Sequence, residues 1–338
     1  MASCLAATTA AGIGARDDGP GPVADHHMHL QSSRMVAVLV RLKETFAERV
    51  EPGDRAQLGG AEAVAALDAA GARKGVVVSG AYLIGSPDIR LDDELDQVRQ
   101  ENDWTASQAA LFPSRLVGFC SVNPLKPYAE AEVARCAAVG LRGLKLHFTN
   151  SAVDVLKAPD LERLVAVMAK ANGLGLPMLV HMRSRADMYG STQARVFVER
   201  VLPAVPDVPV VIAHMAGWGG YDRATDAALG ACIDACRAAP RSCQHLWFEL
   251  SMSVLPATAR TAPAGTSLRD LANAQAKFPE ANQRLASHIL ALGAGRVLFG
   301  SDWPGMSPRD GFDAVRRMLP IGPDRLRTIA GNEAPYMK

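Results

Sequence analysis

Short apolar, β-branched runs alternate with longer amphipathic stretches from residue 23 to the end of the chain. Runs of this kind, bounded by turn-forming residues, are typical of buried parallel strands. The predicted strands are residues 23–30, 75–80, 116–122, 141–148, 177–182, 208–215, 246–251 and 296–301. Helical composition or periodicity is found between them, at residues 61–70, 92–110, 161–171, 222–237 and 268–292.

Eight strands that alternate with helices predict a single (β/α)8 TIM barrel, a fold of typically ~250 residues. The chain has 338 residues. We assign the excess to a flexible N-terminal tail at residues 1–22, an extra helix at residues 35–50 and a long loop around residues 253–267. Residues 23–338 are then one barrel domain. An open nucleotide-binding sheet is disfavoured because no glycine-rich turn follows the first strand, at residues 31–34.

Composition narrows the range of partners. The 36 basic and 35 acidic residues give a net charge of +1. Proteins whose main partner is a nucleic acid or an anionic membrane usually have an excess of basic residues. No apolar run approaches the ~20 residues that span a bilayer. A small-molecule substrate is therefore the expected partner.

The cellular compartment stays open at this stage. The first basic residue, Arg16, follows the mildly apolar N-terminal stretch, which is the reverse of an intact secretory signal. The protein is cytoplasmic, or it is exported to the periplasm and the signal region is missing. Cys232, Cys236 and Cys243 are clustered. In an exported protein Cys236 and Cys243 can form a disulfide, whereas in the cytosol these are buried thiols.

Histidines gather at the predicted C-terminal ends of the strands, where barrel enzymes carry their active sites. His27 and His29 end the first strand and share one face, because side chains alternate along a strand. His181 ends the fifth strand, His214 the sixth, and Asp302 follows the eighth. Imidazoles with a carboxylate suit a first-row divalent ion, zinc before manganese or iron.

With Lys145 in the fourth strand, this ordered set resembles the amidohydrolase superfamily. Gly143-x-Lys145-x-His147 and the hexapeptide at residues 299–304 are similar to its amidohydrolase-related branch, which includes aminocarboxymuconate-semialdehyde decarboxylase-like enzymes and related lactonases. The resemblance covers residues 23–338. It implies a metal site at the C-terminal ends of the barrel strands, and it implies a homodimer, since enzymes of this branch often dimerise.

The resemblance implies two arrangements of the site. In a binuclear hydrolase, one ion is held by His27, His29 and Asp302, and a second by His181 and His214. Carboxylated Lys145 bridges the two ions together with a hydroxide. Asp302 then takes the proton from this hydroxide as it attacks an amide, ester or lactone carbonyl.

In the mononuclear arrangement, a single ion is held by His27, His29, His181 and Asp302. His214 then acts as a general base, and the reaction is decarboxylation of an unsaturated or aromatic acid, or hydrolysis.

Lys145 separates the two arrangements, because only a neutral amine can be carboxylated. Trp247, Glu249 and Ser251 share one face of the seventh strand. If that face points inward, Glu249 can meet Lys145 across the barrel and keep the amine charged. Lys145 is then a structural ion-pair partner rather than a bridging ligand.

Four further residues are candidate substrate contacts: His147, Arg183, Trp218 and Trp303. A guanidinium suits a carboxylate substrate, although a solvated loop arginine is the slightly favoured explanation of Arg183. Either tryptophan can form a pocket wall or serve as a packing anchor. Asp25 shares the face of His27 and can orient an imidazole.

These observations predict a metal-dependent hydrolase of a small amide, ester or lactone, derived from an organic acid. The catalytic residues are then Asp302 and His214. A mononuclear decarboxylase of a small unsaturated or aromatic acid is the alternative. A non-catalytic barrel that binds a metal or small molecule is a third possibility, which the filled ligand positions do not favour.

Overall fold

The structure is a computed structural model that describes residues 21–45, 49–50, 52–185, 189–262 and 267–337. The predicted tail therefore lies outside the described residues as far as residue 20. Parts of two other predicted segments, residues 46–48 of the extra helix and residues 263–266 of the long loop, also lie outside them.

Eight parallel strands form one sheet in sequential order. Each lies within a predicted strand or one residue beyond it, so the (β/α)8 fold class is confirmed. The strands are β1 Ala24–His29, β2 Lys74–Val78, β3 Leu116–Ser121, β4 Leu144–His147, β5 Met178–His181, β6 Val210–Ile212, β7 Leu246–Glu249 and β8 Val297–Leu298.

The segment that follows β8 closes the barrel against β1. Met28 forms a parallel bridge with Trp303, and His29 N donates a hydrogen bond of 2.6 Å to Trp303 O. Asp302 N likewise donates to His27 O at 2.8 Å. The closure therefore places the residues after β8 beside His27 and His29 of β1.

Helices connect the strands. The α-helices are α1 Ser33–Thr45, α2 Gly60–Ala70, α3 Ala81–Ile84, α4 Glu94–Ala110, α5 Ala129–Ala138, α6 Phe148–Ser151, α7 Ala158–Gly173, α8 Ser191–Val196, α9 Arg223–Ala238, α10 Ser267–Ala276, α11 Ala281–Leu292, α12 Pro308–Met318 and α13 Pro323–Gly331. Short 3-10 or π turns are Pro52–Arg55, Phe197–Val201, Leu202–Ala204, Ala213–Ala216, Pro240–Cys243, Ala257–Thr261, Ala294–Arg296 and Pro335–Met337.

The predicted single helix at residues 268–292 is wrong, since the chain forms α10 and α11 there with a break at residues 277–280. Pro279 lies in this break. Proline has no backbone N–H and restricts the residue before it, which ends one helix and lets a new one begin. The predicted extra helix after β1 is present as α1, which begins two residues earlier than expected.

Apolar side chains fill the barrel below its C-terminal end. Val78, Phe119, Leu179 and other inward-pointing residues of the strands form one buried cluster with the C-terminal segment. The ring of Tyr336 packs against Phe119 with 5.3 Å between their centroids. The N-terminal end is thus packed shut, so polar side chains within the barrel are concentrated at the opposite end.

Two disulfides join neighbouring elements. Cys120 of β3 is bonded to Cys136 of α5, and Cys236 of α9 is bonded to Cys243 in the turn that follows. The second is the bridge expected for an exported protein, whereas the first was not anticipated from the sequence. Cys232 is a buried free thiol.

The described residues include no helix that is both long enough and apolar enough to cross a membrane.

We predict that at most two of the six cysteines react with a thiol reagent when the protein is denatured without reduction. Reduction should then lower the free energy of unfolding by about 2–4 kcal/mol for each bridge, measured by urea denaturation. As a control, Cys232→Ala should remove one reactive thiol without changing the response to reductant. Four or more reactive thiols in the unreduced protein would contradict the pairing.

Candidate metal centre

Three ligand atoms from β1 and from the segment after β8 converge at the C-terminal end of the barrel. His27 Nε2 lies 3.1 Å from His29 Nε2, and His29 Nε2 lies 3.1 Å from Asp302 Oδ1. The third distance, from His27 Nε2 to Asp302 Oδ1, is 3.4 Å. His214 also offers a nitrogen within 4.8 Å of ligand atoms of His27 and Asp302.

These distances fit a divalent ion. Zinc bound to nitrogen and oxygen at ~2.0–2.1 Å has ligand atoms about 3.3 Å apart at the corners of a tetrahedron. The three distances from His27, His29 and Asp302 lie close to this value. In addition, Nε2 of His181 is buried and has no hydrogen-bond partner among the described residues. A buried nitrogen of this kind needs a partner, which an ion or a coordinated water can provide.

The two innermost histidines are oriented by their other ring nitrogens. His27 Nδ1 lies 2.9 Å from Glu249 Oε1, and His214 Nδ1 lies 2.9 Å from the Ser251 carbonyl oxygen. A carboxylate and a carbonyl only accept hydrogen bonds, so both Nδ1 atoms must carry the proton. Nε2 of His27 and of His214 therefore presents a lone pair to the site, as metal ligation requires.

Glu249 is the acceptor at the centre of this arrangement. Burial raises the pKa of its carboxyl group, but the hydrogen bond from His27 and the nearby histidines outweigh burial and lower it to about 2. The ionised carboxylate also accepts bonds from His214 N at 3.0 Å and Ser251 N at 2.5 Å. The inward orientation that the sequence left open is thus observed, but Glu249 contacts His27 rather than Lys145.

The turn after β6 is conformationally strained. His214, Met215 and Ala216 have φ values of 52°, 50° and 71°, in the left-handed region that non-glycine residues rarely adopt. Such residues cost about 1–3 kcal/mol each and persist only where the surroundings hold them. Here the bond from His214 N to Glu249 and a 2.6 Å bond from Tyr189 Oη to Ala216 O hold the turn.

Lys145 is fully buried beside these groups. Burial lowers the pKa of its amine to about 8, although the negative charges of Asp302 and Glu249 raise it. Its Nζ lies 2.8 Å from His27 Nε2. The Lys145–Glu249 ion pair considered from the sequence is not among the ion pairs of the described residues. Lys145 is therefore closer to neutrality than an exposed lysine.

The protonation states suit cation binding. Burial alone raises the pKa of Asp302, but His27 and His29 lower it well below its usual range, so the carboxylate is ionised. Burial lowers the pKa of His27 to about 3 and that of His181 well below the usual value. The site therefore combines an anionic oxygen with neutral imidazoles.

A cavity of about 520 Å³ lies over these groups. Asp302 and His29 keep 25% and 22% of their side chains exposed toward solvent. Two of the candidate substrate contacts, His147 and Trp218, line this cavity. The His147 ring stacks on Tyr82 with 4.8 Å between centroids. The cavity thus has an aromatic wall directly above a polar floor.

The structure does not bring the other two candidate contacts to this cavity. Arg183 forms an ion pair of 2.9 Å with Asp222 and also bonds Thr225. Trp303 is buried in an apolar cluster that includes Met28. Arg183 is thus a loop arginine paired to the N-cap of α9 rather than a solvated one, and Trp303 packs among apolar side chains.

Asp25 differs from its expected role. Its Oδ1 accepts bonds from His27 N and Ser301 N, each at 3.0 Å, and so fixes two backbone segments rather than an imidazole. The imidazole partner is Glu249. Ser251, which holds His214, was not assigned a role from sequence. The only signal for it was that Ser251 alternates in phase with Glu249.

A (β/α)8 barrel with histidines and an aspartate at its strand ends defines a class of metal-dependent enzymes. The amidohydrolase family model matches residues 24–329 of this chain. The chain belongs to the amidohydrolase family, which confirms the resemblance drawn from its strand-end residues. Among curated protein sequences, none matches this chain.

Solved structures agree on the fold. A 5-carboxyvanillate decarboxylase from Sphingomonas paucimobilis has 16% identity and a TM-score of 0.62, with 92% of this chain and 96% of that chain covered. A probable 2-pyrone-4,6-dicarboxylic acid hydrolase from Acinetobacter baumannii has 16% identity and a TM-score of 0.58, covering 93% and 97%. A zinc-bound amidohydrolase from Burkholderia multivorans has 15% identity and a TM-score of 0.57, covering 92% and 96%.

We predict that Glu249→Gln lowers the affinity for added Co²⁺ by about 10–100-fold, because His27 loses the acceptor that orients it. Isothermal titration calorimetry of metal-stripped protein measures this change. Glu101→Gln is the matched control, since Glu101 is equally buried but bonds Ser32 outside the site. Equal affinities in the wild type and Glu249→Gln would show that the metal is not held through His27.

Proposed function

We propose that this protein is a metal-dependent hydrolase that uses an activated water on a small ester, lactone or amide of an organic acid. The observation that carries the proposal is the set of 3.1–3.4 Å separations among ligand atoms of His27, His29 and Asp302. These atoms lie at the floor of an open cavity whose volume suits a small ligand.

The residues divide the chemistry between them. A divalent ion at this position would make a water molecule nucleophilic at neutral pH and polarise the carbonyl of the substrate. Asp302 is ionised, and with Oδ1 as the ligand atom its Oδ2 can accept the proton of the attacking water. His214 is held through its Nδ1–H, so its Nε2 is free to accept or return a proton at the leaving group.

Zinc is the proposed ion, with manganese and iron as alternatives. The number of ions bound, one or two, depends on the state of Lys145. An ammonium group 2.8 Å from a ligand nitrogen repels a cation. Lys145 should therefore lose its proton or become carboxylated when the ion binds. Carboxylation would support a second ion held by His181 and His214. An uncarboxylated Lys145 would support a single ion with His214 as general base.

Decarboxylation of an aromatic acid is the second candidate. The stacked rings of Tyr82 and His147, with Trp218 edge-on to His147 at 5.7 Å between centroids, offer flat surfaces to a planar acid. A divalent ion held by His27, His29 and Asp302 would provide the cation for its carboxylate. The fold is shared with a 2,6-dihydroxybenzoate decarboxylase of 16% identity and a TM-score of 0.58.

An oxidising compartment is the proposed location. Of the five cysteines in the described part of the chain, four are paired in disulfides, which persist outside the reducing cytosol. This supports export to the periplasm over a cytoplasmic location. The homodimer implied by the resemblance remains a prediction.

We predict that Asp302→Asn lowers kcat for the best substrate in a panel of small esters and lactones by about 10²–10⁴-fold, as loss of a general base should. Asp234→Asn is the control, because Asp234 is an exposed carboxylate on α9 that does not line the cavity.

A parallel assay of CO₂ release from hydroxybenzoic acids separates the two candidate reactions. Ester or lactone turnover that depends on Asp302 supports the hydrolase. CO₂ release without ester or lactone turnover would replace the hydrolase by the decarboxylase. Unchanged turnover in Asp302→Asn would remove Asp302 from the mechanism.

A further inference from the structure

One face of α1 forms a wall of the cavity. Met35, Leu39 and Lys43 all line the cavity, and a spacing of four residues places them on the same side of the helix. Eight residues of helix rise about 12 Å, so this wall is as long as a small substrate. It begins at the barrel mouth, where Met35 packs closely against Gly80. A Cβ atom added at Gly80 would lie only 2.6 Å from Met35 Cε.

A second segment completes this wall. Leu58 and Gln31 form an antiparallel bridge, with each backbone N–H donating to the other carbonyl at 2.9 Å. The bridge fixes Leu58 next to the end of β1. Met252 and Leu268 also line the cavity. Apolar side chains from several segments thus surround the space between the polar floor and the outer end of α1.

An ion pair ends the wall. Lys43 Nζ lies 2.7 Å from Asp54 Oδ2, and both side chains are 18% exposed. The opposite charges of Lys43 and Asp54 offset each other. A substrate carboxylate that approached Lys43 would meet Asp54, and an ammonium group that approached Asp54 would meet Lys43. A charged group therefore gains little at this position, whereas methylene groups gain by displacing water from Met35, Leu39 and Leu58.

We propose that this α1 wall binds an uncharged, apolar arm of the substrate, and that the substrates are esters or lactones with an aliphatic arm several carbons long. The assignment of an ester or lactone bond rests on the proposed hydrolytic function. The preference for an apolar arm rests on the residues of the α1 wall alone. Leu39, at the middle of the wall, is then a specificity-determining residue.

The test measures binding of compounds that are not hydrolysed. Methyl ketones from butan-2-one to nonan-2-one resemble ester substrates and differ only in the length of the apolar arm. Isothermal titration calorimetry on the enzyme as isolated should show affinity rising about fourfold with each added methylene group. An arm of the same length that ends in a carboxylate should bind more weakly than the uncharged ketone.

Two leucines of α1 provide a matched pair of variants. Leu39→Ala should lower the affinity for nonan-2-one about tenfold and leave that for butan-2-one unchanged. Leu42 packs against the same buried cluster as Leu39 but does not line the cavity. Leu42→Ala should therefore bind both ketones like the wild type, and its thermal unfolding reports the cost of losing a leucine from this helix.

Three results would overturn the inference. The first is an affinity that does not depend on ketone length. The second is an equal loss in Leu39→Ala and Leu42→Ala. The third is tighter binding of the carboxylate-ended arm than of the uncharged ketone, together with loss of that binding in Lys43→Met. Lys43 would then bind the carboxylate of an acidic substrate. Ketone binding that follows chain length without any ester turnover would contradict the hydrolase alone, whereas turnover with no dependence on length would contradict the wall alone.

Discussion

The hydrogen bond from His27 Nδ1–H to the buried Glu249 carboxylate is the interaction on which the site depends. It joins β1 to β7, which lie on either side of β8, at 2.9 Å and directs Nε2 of His27 toward the cavity. The same carboxylate accepts the backbone N–H of His214 and so holds the strained turn after β6. A buried anion is costly unless it is fully bonded, and here the bonds that satisfy it also orient the ligands.

The barrel explains why these groups meet. Parallel strands in sequential order bring all eight C-terminal ends to one rim, and a packed interior closed by the C-terminal segment leaves that rim as the open end. Side chains that are distant in sequence, such as His27 and Asp302, then lie within a few ångströms of each other. The loop after β1 contributes α1, so β1 and the segment that follows it provide His27, His29 and one wall of the cavity.

The strands, the fold class and the convergence of His27, His29, His214 and Asp302 followed from the sequence because each depends on local periodicity or on strand order. What could not be predicted depends on distances between elements. The pairing of Arg183 with Asp222 requires the positions of the loop after β5 and the start of α9. The contact of Glu249 with His27 requires the register and tilt of β7, which alternation alone does not set. Pro279 in the sequence indicates a break. The apolar pattern continues on both sides of it, however, and favours a single helix.

The most direct test of the metal centre is the metal content per chain, measured by elemental mass spectrometry on protein prepared without a His tag or chelator. We expect one divalent ion per chain, or two if Lys145 is carboxylated. Removal of the ion should abolish turnover, and adding it back should restore turnover. A preparation without metal that is fully active, and that added metal does not affect, would contradict the account.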